Sequence, residues 1–425
     1  MSAPAWPDRP THVGWLEQHL LGLLRFGRRT AADGGGAHWL DDDGAPDPSR
    51  GIQTWVTSRT VHVYSLGTLL GVPGCAPVAD GALAGLTGRL RDREHGGWFS
   101  SLDADGRPEG GKSAYAHAFV VLAASSATAA GRPGAEALLA EALEVFGRRF
   151  WDADAGLPVD TWDTAFSTLD GYRGINAAMH TTEAMLAAAD VLAVVLGDEA
   201  TARTCRRRAT GILSKVASWA AANDWRVPEH FDSQWRVQLE YNADRRDDPF
   251  KPYGATVGHG LEWARLLLHG EAAALAAGEE PQVDALASSR ALFDRAVADG
   301  WSVDGRDGFV YTTDWSGAPV VRDRMHWVAA EATATAAALW LRTGEQAYAD
   351  RYAQWWDHVA TTVLDHEHGS WHHQLDADNR PSGTVWPGKA DLYHAVGATL
   401  VPRLPLQPSL AVAVREGLWR TPGGA

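Results

Sequence analysis

The sequence predicts an all-α protein in which six pairs of helices close into a ring. First, Ala- and Leu-rich stretches carry apolar residues at positions i, i+3, i+4 and i+7, the pattern of an amphipathic helix. Second, one loop pattern recurs along the chain, as in repeat architectures. Third, neither end shows a polar capping repeat, which favours closure into a ring over an open solenoid.

The clearest repeat joins residues 92–119 to residues 365–395. Both segments contain D-x-E-H-G-x-W, then L-D-A-D-x-R-P, then a Lys and an ending in which a Tyr comes shortly before His-Ala. A polar turn at Asp-Ala-Asp between short runs predicts a hairpin. Each copy is therefore expected to form a hairpin that leads into a helix carrying a His.

Four weaker copies follow the same plan, in which a loop with Trp or Tyr precedes a helix whose first turns carry a His. The six marked histidines are His62, His117, His180, His259, His326 and His394. Their spacing leaves room in each unit for two helices of about four turns and a loop. Closure of the ring would place all six loops at one mouth.

The chain is expected to form a single domain over residues 1–425, because no linker rich in Ser, Pro or Gly divides it. The polar segment 242–252, NADRRDDPFKP, is expected to be either a lid or a solvated loop.

Composition limits the partners of the protein. The 53 acidic and 38 basic side chains give a formal net charge of −15, which argues against nucleic acid and anionic membranes as partners. The N-terminus lacks the pattern of a secretion signal, and no apolar run approaches about 18 residues. Cys75 and Cys205 are too few for a disulfide framework. We expect a cytoplasmic protein, and the sequence leaves a homo-oligomer open.

Two His-x-x-Glu motifs are candidates for chemistry. They join His259 to Glu262 in GHGLEW and His180 to Glu183 in MHTTEA. Residues at i and i+3 share one face of a helix, so the carboxylate could hold the imidazole, tune it or bind a substrate hydroxyl. In an isolated motif, a His satisfied by its neighbour would be the simpler interpretation. Equivalent positions in a closed ring converge on its centre, however, which brings His180, His259 and His394 together.

Two imidazoles that face one cavity suit proton transfer at a carbon next to a carbonyl, since one can accept and the other donate near neutral pH. Arg59 would lie at the same mouth, where it could stabilise an oxygen that gains negative charge, or form an ion pair between loops. Polar and indole groups at equivalent positions would suit a polyhydroxylated ligand, although core packing is the simpler interpretation of each Trp taken singly. These residues are Tyr115, Asn176, Asp314, Trp315, Trp327 and Trp386.

The sequence predicts no metal and no cofactor. The Asp-Ala-Asp turns resemble the start of a calcium loop, but Ala114 and Pro387 stand where a bidentate Glu is required. Di-iron helices use Glu-x-x-His, the reverse order, and need further glutamates. The histidine-rich hairpin lacks a partnering Cys or HExxH, and neither nucleotide-binding glycine motif is present. Its members are His366, His368, His372 and His373.

Eight stretches between about Arg59 and Leu406 resemble the N-acylglucosamine 2-epimerase superfamily, most closely its aldose–ketose isomerase branch. They include SRTVHVYSL, YRGINAAMHTTEAMLA, GHGLEWARL and GKADLYHAVGATLVPRLPL. The resemblance implies a single (α/α)6 barrel with short β-hairpins at the mouth, and interconversion of an aldose with its ketose without a cofactor. It also implies that His259 and His394 act at the reacting carbons. The implied sugar-pocket residues are Arg59, Tyr115, Asn176, His180, Glu262 and Trp386.

Within this branch, the sulfoquinovose-type pattern carries Gln where this chain has His373 and Ala390, and extra Arg where it reads DPFKPYG. Loss of groups that would bind a sulfonate favours a neutral monosaccharide. We expect interconversion of D-mannose and D-fructose, and also of D-lyxose and D-xylulose, through a cis-enediol. The alternatives are a sulfoquinovose isomerase, an N-acylglucosamine 2-epimerase-type enzyme, a glycoside hydrolase using Asp163 and Asp314, and a non-catalytic sugar-binding protein.

Overall fold

The computed structural model describes residues 4–421, and its long helices form two concentric rings. The inner ring comprises α2 (Thr54–Leu69), α4 (Ala114–Ala129), α6 (Ile175–Val191), α8 (Val257–Ala276), α10 (His326–Thr343) and α12 (Tyr393–Leu400). The outer ring comprises α1 (Pro10–Gly27), α3 (Cys75–Thr87), α5 (Ala135–Val145), α7 (Glu199–Ala222), α9 (Ala285–Gly300) and α11 (Gln346–His358). The short helix α13 (Leu410–Arg415) packs against α2, α4 and α6.

The two rings follow from two kinds of helix sequence. The inner helix α4 is apolar on all sides, and each of its residues except Tyr115 is buried. The outer helix α11 buries one aromatic stripe that includes Tyr352 and Trp356, and exposes polar residues on its other face. Because α12 contacts both α10 and α2, the inner ring is closed. The predicted (α/α)6 barrel is confirmed.

Short helical turns extend or connect these elements. One π-helical turn follows each of α5, α6 and α11, at Phe146–Phe150, Leu192–Leu196 and Val359–Val363. Three-residue 3₁₀ turns occur at Trp6–Asp8, Arg28–Thr30, Pro48–Arg50 and Val401–Arg403.

The strands are two or three residues long, and all those in the described residues lie in loops that lead from an outer to an inner helix. They are β1 (Trp39–Leu40), β2 (Pro46–Asp47), β3 (Ile52–Gln53), β4 (Ser101–Leu102), β5 (Pro108–Glu109), β6 (Lys112–Ser113), β7 (Trp151–Asp152), β8 (Leu157–Pro158), β9 (Thr161–Trp162), β10 (Arg173–Gly174), β11 (His230–Phe231), β12 (Ala255–Thr256), β13 (Thr312–Thr313), β14 (Pro319–Val321), β15 (Arg324–Met325) and β16 (Gln374–Leu375). This places the predicted hairpins together at one mouth.

Strand pairing ties each loop to the next around that mouth. The strand that enters an inner helix pairs antiparallel with a strand of the following loop, in the pairs β3–β4, β6–β9, β10–β11, β12–β13 and β15–β16. Backbone hydrogen bonds between neighbouring loops hold them in fixed relative positions. The first turns of the inner helices are therefore held in a fixed arrangement around the barrel axis.

Both copies of the strong sequence repeat contain the same buried ion pair between a Lys and an Asp. The Lys112 ammonium lies 2.6 Å from Asp92 Oδ2 and donates to the Gly96 carbonyl, and both charged side chains are buried. Lys389 and Asp365 form the same pair at 2.6 Å in the second copy. Each pair joins the start of its hairpin to the strand or loop that precedes the inner helix.

The span Ile175–Leu196 has the length and mean hydropathy of a membrane-crossing helix, although the sequence was expected to contain no such run. It consists of α6 and its π turn, and α6 packs against α4, α7 and α8. Of the 18-residue stretch with this high mean hydropathy, 67% is buried inside the barrel. Its apolar composition is accounted for by its place in the inner ring.

Candidate active site

The loops at the mouth enclose a cavity of about 380 Å³ above the inner helices. Eight residues predicted from sequence line it: Arg59, Tyr115, Asn176, His180, His259, Glu262, Trp386 and His394. Trp327, one of the indole groups expected to suit a polyhydroxylated ligand, also contributes to its wall, as do His373 and Ala390, the two positions that differ from the sulfoquinovose-type pattern. The structure thus places residues from all six inner helices in one space.

Trp315 was expected to bind substrate, but it lies outside the cavity wall. Its indole N–H donates to the Leu239 carbonyl at 2.8 Å, which fixes the side chain in a loop contact. Asp314 lies in the same turn and caps it by accepting backbone N–H groups. Asp163 likewise accepts from Ser167 in an exposed turn. The carboxylates named for a glycoside hydrolase therefore do not flank the cavity.

His259 is held by a carboxylate from its own preceding loop. Its Nδ1 lies 2.8 Å from Glu229 Oε2, and Glu229 Oε1 accepts the backbone N–H of Thr256 at 3.1 Å. Since a carboxylate only accepts, Nδ1 carries the proton and Nε2 remains for the cavity. Of the roles considered for Glu262, a direct bond to His259 is not observed, because Glu262 lies one turn deeper and faces His180 and Arg265.

His394 has a matching arrangement across the cavity. Its Nδ1 lies 2.9 Å from Glu331 Oε1, while the other oxygen of Glu331 accepts from Arg265 Nε at 2.8 Å. Burial lowers the pKa of His394 below its usual 6.5, although Glu331 acts in the opposite direction. His394 is therefore neutral at pH 7, with Nε2 free to accept a proton.

Arg59 supplies positive charge to the cavity. Its guanidinium bonds Asp391 Oδ2 at 3.0 Å and donates to the Tyr115 hydroxyl at 3.1 Å. It also packs over the Phe119 ring, with its central carbon 4.4 Å from the ring centroid. Burial would raise the pKa of Asp391, but Arg59 offsets this effect and holds that pKa below the usual value. Burial raises the pKa of Tyr115 to about 12, so its hydroxyl stays protonated.

A second group of titratable side chains forms part of the cavity wall. The Glu262 side chain is 1% exposed, and neither of its oxygens has a hydrogen-bond partner among the described residues. Burial, reinforced by the Glu331 charge, raises the pKa of Glu262 well above its usual value. His180 Nδ1 lies 3.8 Å from Glu183 Oε2 and 4.0 Å from Glu262 Oε1. Burial lowers the pKa of His180 to about 4, so this imidazole is neutral at pH 7.

His326 and His373 stack in the cavity wall, with ring centroids 3.8 Å apart and planes 11° from parallel. His326 Nδ1 lies 3.2 Å from the His373 carbonyl. Burial lowers the pKa of both, to about 4 for His373. This part of the wall consequently presents uncharged imidazoles, which offer no positive charge to a sulfonate.

The remaining two marked histidines lie away from the cavity. His62 Nδ1 is 2.7 Å from Ser126 Oγ, and His117 Nε2 accepts the backbone N–H of Trp98 at 3.1 Å. Both imidazoles are buried and support the packing of inner helices. A repeated His thus serves structure in the first two units and lines the cavity in the other four.

The end of segment 242–252 forms part of the cavity roof. Residues 249–252 line the cavity, and the Phe250 ring meets the Trp386 ring edge-on at 5.2 Å. The Lys251 ammonium lies 3.8 Å from the centroid of the Tyr172 ring. His230 Nε2 lies within hydrogen-bond distance, 2.8 Å, of the Pro252 carbonyl. The segment therefore borders the substrate space.

Sequence reasoning missed four charged residues of the site: Glu229, Arg265, Glu331 and Asp391. Three of them carried a usable signal, since Glu229 lies in EHFDSQW, Arg265 in GHGLEWARL and Asp391 in GKADLYHA, all stretches that carry the family resemblance. Glu331 carried none, because it reaches His394 and Arg265 on other inner helices.

Comparisons with known proteins agree with this architecture. The model of the N-acylglucosamine 2-epimerase (GlcNAc 2-epimerase) family matches residues 35–398. A D-mannose isomerase of Thermobifida fusca is 49% identical over 411 residues, covering 96% of this chain and 98% of its own. A D-mannose isomerase of Pseudomonas cannabina pv. alisalensis is 45% identical over 412 residues, with 96% and 97% covered.

A crystal structure of a D-mannose isomerase superposes with a TM-score of 0.84 at 26% identity, covering 94% of this chain and 99% of that one. The family match spans most of the chain and includes both histidine–carboxylate pairs. The chain therefore belongs to the N-acylglucosamine 2-epimerase family.

Proposed function

We propose that the protein is an aldose–ketose isomerase that interconverts D-mannose and D-fructose, and also D-lyxose and D-xylulose. The observation that carries the proposal is the pair formed by His259 and His394, which line one cavity and each bond a buried carboxylate through Nδ1. This arrangement leaves two Nε2 atoms for proton transfer. The near full-length similarity to proteins named D-mannose isomerase supports the choice of sugar.

In the proposed reaction, His394 removes the proton from C2 of the open-chain aldose. The electrons of the C2–H bond form the C1–C2 double bond of a cis-enediol, and the carbonyl oxygen at C1 takes a proton. His394 then returns its proton to C1 on the same face, while the hydroxyl at C2 loses its proton to become the ketone. His259 assists ring opening and proton movement at the oxygens.

The groups behind the histidines support these steps. Glu331 stabilises the imidazolium that forms when His394 holds the C2 proton. Arg59 can donate to a sugar oxygen that gains negative charge, because its guanidinium is fixed by Asp391 and Tyr115. The reaction as proposed consists of proton transfers between these side chains and the sugar, and needs no metal or nucleotide.

The cavity wall supports a neutral sugar as substrate. The two positions that distinguish the sulfoquinovose-type pattern, His373 and Ala390, both line the cavity. Neither presents a positive charge, since burial lowers the pKa of His373 to about 4. We propose that kcat/KM for mannose exceeds that for sulfoquinovose. A cytoplasmic location is part of the same proposal, and the free, buried thiols of Cys75 and Cys205 are consistent with it.

The test is incubation of the purified protein with mannose, fructose, lyxose, glucose, N-acetylglucosamine and sulfoquinovose, followed by chromatography of the products. We expect mannose and fructose to interconvert with undiminished rate after exhaustive dialysis against EDTA. A preference for sulfoquinovose would overturn the choice of sugar, and a need for added metal would overturn the mechanism. Cleavage of a disaccharide would favour a glycoside hydrolase.

Variants test the histidine assignment. His394→Ala and His259→Ala should each lose about 10²- to 10⁴-fold in rate while remaining folded. His326→Ala should lose much less, because His326 Nδ1 bonds a backbone carbonyl where His259 and His394 each bond a carboxylate. Wild-type activity in His394→Ala would refute its role as the base.

A further inference from the structure

Three side chains in the wall of the sugar cavity bring potential metal-ligand atoms close together without forming hydrogen bonds to one another. His180 and Glu183 lie on α6 and Glu262 on α8, and one potential ligand atom from each lies within 4.8 Å of those of the other two. His180 Nδ1 is 3.8 Å from Glu183 Oε2 and 4.0 Å from Glu262 Oε1, too far for a hydrogen bond. Metal–ligand bonds of about 2.0–2.2 Å at a tetrahedral ion place two ligand atoms about 3.5 Å apart, which is within about half an ångström of these distances.

The burial of these atoms points to a ligand. The side chains of His180 and Glu262 are 4% and 1% exposed. His180 Nδ1 and both oxygens of Glu262 lack a hydrogen-bond partner among the described residues. Buried polar atoms in native proteins are normally satisfied, and each one left unpaired costs free energy. A bound cation would satisfy all three at once.

The local charge favours a divalent cation. Glu262 belongs to a buried cluster with Glu183, Glu331 and Arg265, in which three carboxylates face one guanidinium. Arg265 bonds Glu331 directly at 2.8 Å, but its nearest approach to Glu262 is 3.7 Å. Because the pKa of Glu262 is raised well above its usual value, an ion would bind with release of the Glu262 proton, and the cluster would then have two negative charges in excess. An ion of charge +2 would balance them.

We propose that His180, Glu183 and Glu262 form a binding site for one zinc-like divalent cation in the wall of the sugar cavity. One imidazole and two carboxylates suit Zn²⁺ or Co²⁺ better than Mg²⁺ or Ca²⁺, which prefer oxygen ligands alone. In this set, Glu183 Oε2 accepts the Tyr393 hydroxyl. The overlapping set of Glu262, Glu331 and His394 is the poorer site, because both oxygens of Glu331 are engaged, one by His394 and the other by Arg265.

Occupation of this site would inhibit the reaction proposed above. His180 and Glu262 both line the cavity, so an ion held by them removes both from contact with the sugar. The ion would also place positive charge near His394 and oppose its protonation. Inhibition rests on the proposed isomerase function, whereas binding of the ion does not.

The experiment titrates Co²⁺ into the EDTA-dialysed, buffer-exchanged protein and follows its visible absorption, with Zn²⁺ titrated in a calorimeter. We expect one ion per chain. Glu262→Gln and Glu183→Gln should each weaken binding by at least about tenfold, since even indirect partners of a metal contribute 10- to 100-fold. The matched control is His368→Gln, which removes an exposed imidazole between Asp43 and Glu367 and should leave affinity unchanged.

The outcomes separate the two proposals. Saturable binding that both Glu variants weaken supports the site, even if no sugar is converted. Absence of stoichiometric binding, or equal affinity in wild type and in a folded Glu183→Gln variant, overturns it. Loss of binding only in Glu331→Gln would place the ion in the other set and overturn the assignment. Zn²⁺ should lower isomerase activity and EDTA should restore it. Full activity of the zinc-saturated protein would overturn the inhibitory role.

Discussion

Replacement of Glu331 by Gln tests how the barrel prepares His394 for proton transfer. In the native protein, one oxygen of Glu331 bonds His394 and the other bonds Arg265, at 2.9 and 2.8 Å, and the carboxylate is buried. Glutamine keeps one accepting oxygen but offers an N–H group in place of the second, and it carries no charge. The negative charge that stabilises the His394 imidazolium is therefore lost.

The size of the effect follows from the bond that changes. A hydrogen bond to a charged group contributes about 1.5–3 kcal/mol and a neutral one about 0.5–1.5 kcal/mol. Loss of about 1–2 kcal/mol from an imidazolium-like transition state corresponds to a decrease in kcat of about 5- to 30-fold. Loss of the direct Arg265–Glu331 ion pair should also lower the free energy of unfolding, although Glu262 remains 3.7 Å from Arg265.

The pH profile of mannose isomerisation distinguishes this role from a general structural effect. Because Glu331 raises the pKa of His394 in the native protein, its removal lowers that pKa. A base is active above its pKa, so the acidic limb of kcat should move to lower pH while the plateau falls. The control is Glu271→Gln, which breaks an ion pair with Arg342 at the surface and should alter neither. An unchanged plateau, or an acidic limb that stays in place, would refute the reasoning.

Three further predictions address the arginine, the repeat and the roof. Arg59→Lys should lower kcat/KM for mannose by about 10- to 100-fold, since a lysine ammonium cannot bond both Asp391 and Tyr115 as the guanidinium does. Equal kcat/KM in the variant and the wild type would contradict this. Asp92→Asn leaves the buried Lys112 ammonium without its carboxylate and should lower the free energy of unfolding, measured in urea, by about 3–5 kcal/mol. A change smaller than about 1 kcal/mol would count against the pair. Phe250→Ala should raise KM for mannose with little change in kcat or stability, because this ring is 68% exposed and covers only the cavity rim. An unaltered KM would show that the roof does not contact the sugar.

The sequence by itself determined the architecture and the centre of the site. Helical periodicity, the repeated loop and the marked histidines were sufficient to predict a ring with one functional mouth. The reason is that both signals are local, since a helix face or a hairpin turn is specified by residues a few positions apart. Convergence of His180, His259 and His394 then followed from the symmetry of the repeat, and the family resemblance added Arg59 and Tyr115.

Only the tertiary structure decided the partners of these groups. Glu229 bonds His259 from 30 residues away, and Glu331 bonds His394 from 63 residues away. Helical spacing offered Glu262 as one possible partner of His259, because periodicity defines which residues share a face of one helix and contains no information about the facing helix. Trp315 was misplaced for the same reason, since the direction of its side chain depends on a contact with the Leu239 carbonyl. Closure of the ring brings distant segments to within hydrogen-bonding distance, and a local sequence pattern does not encode that distance.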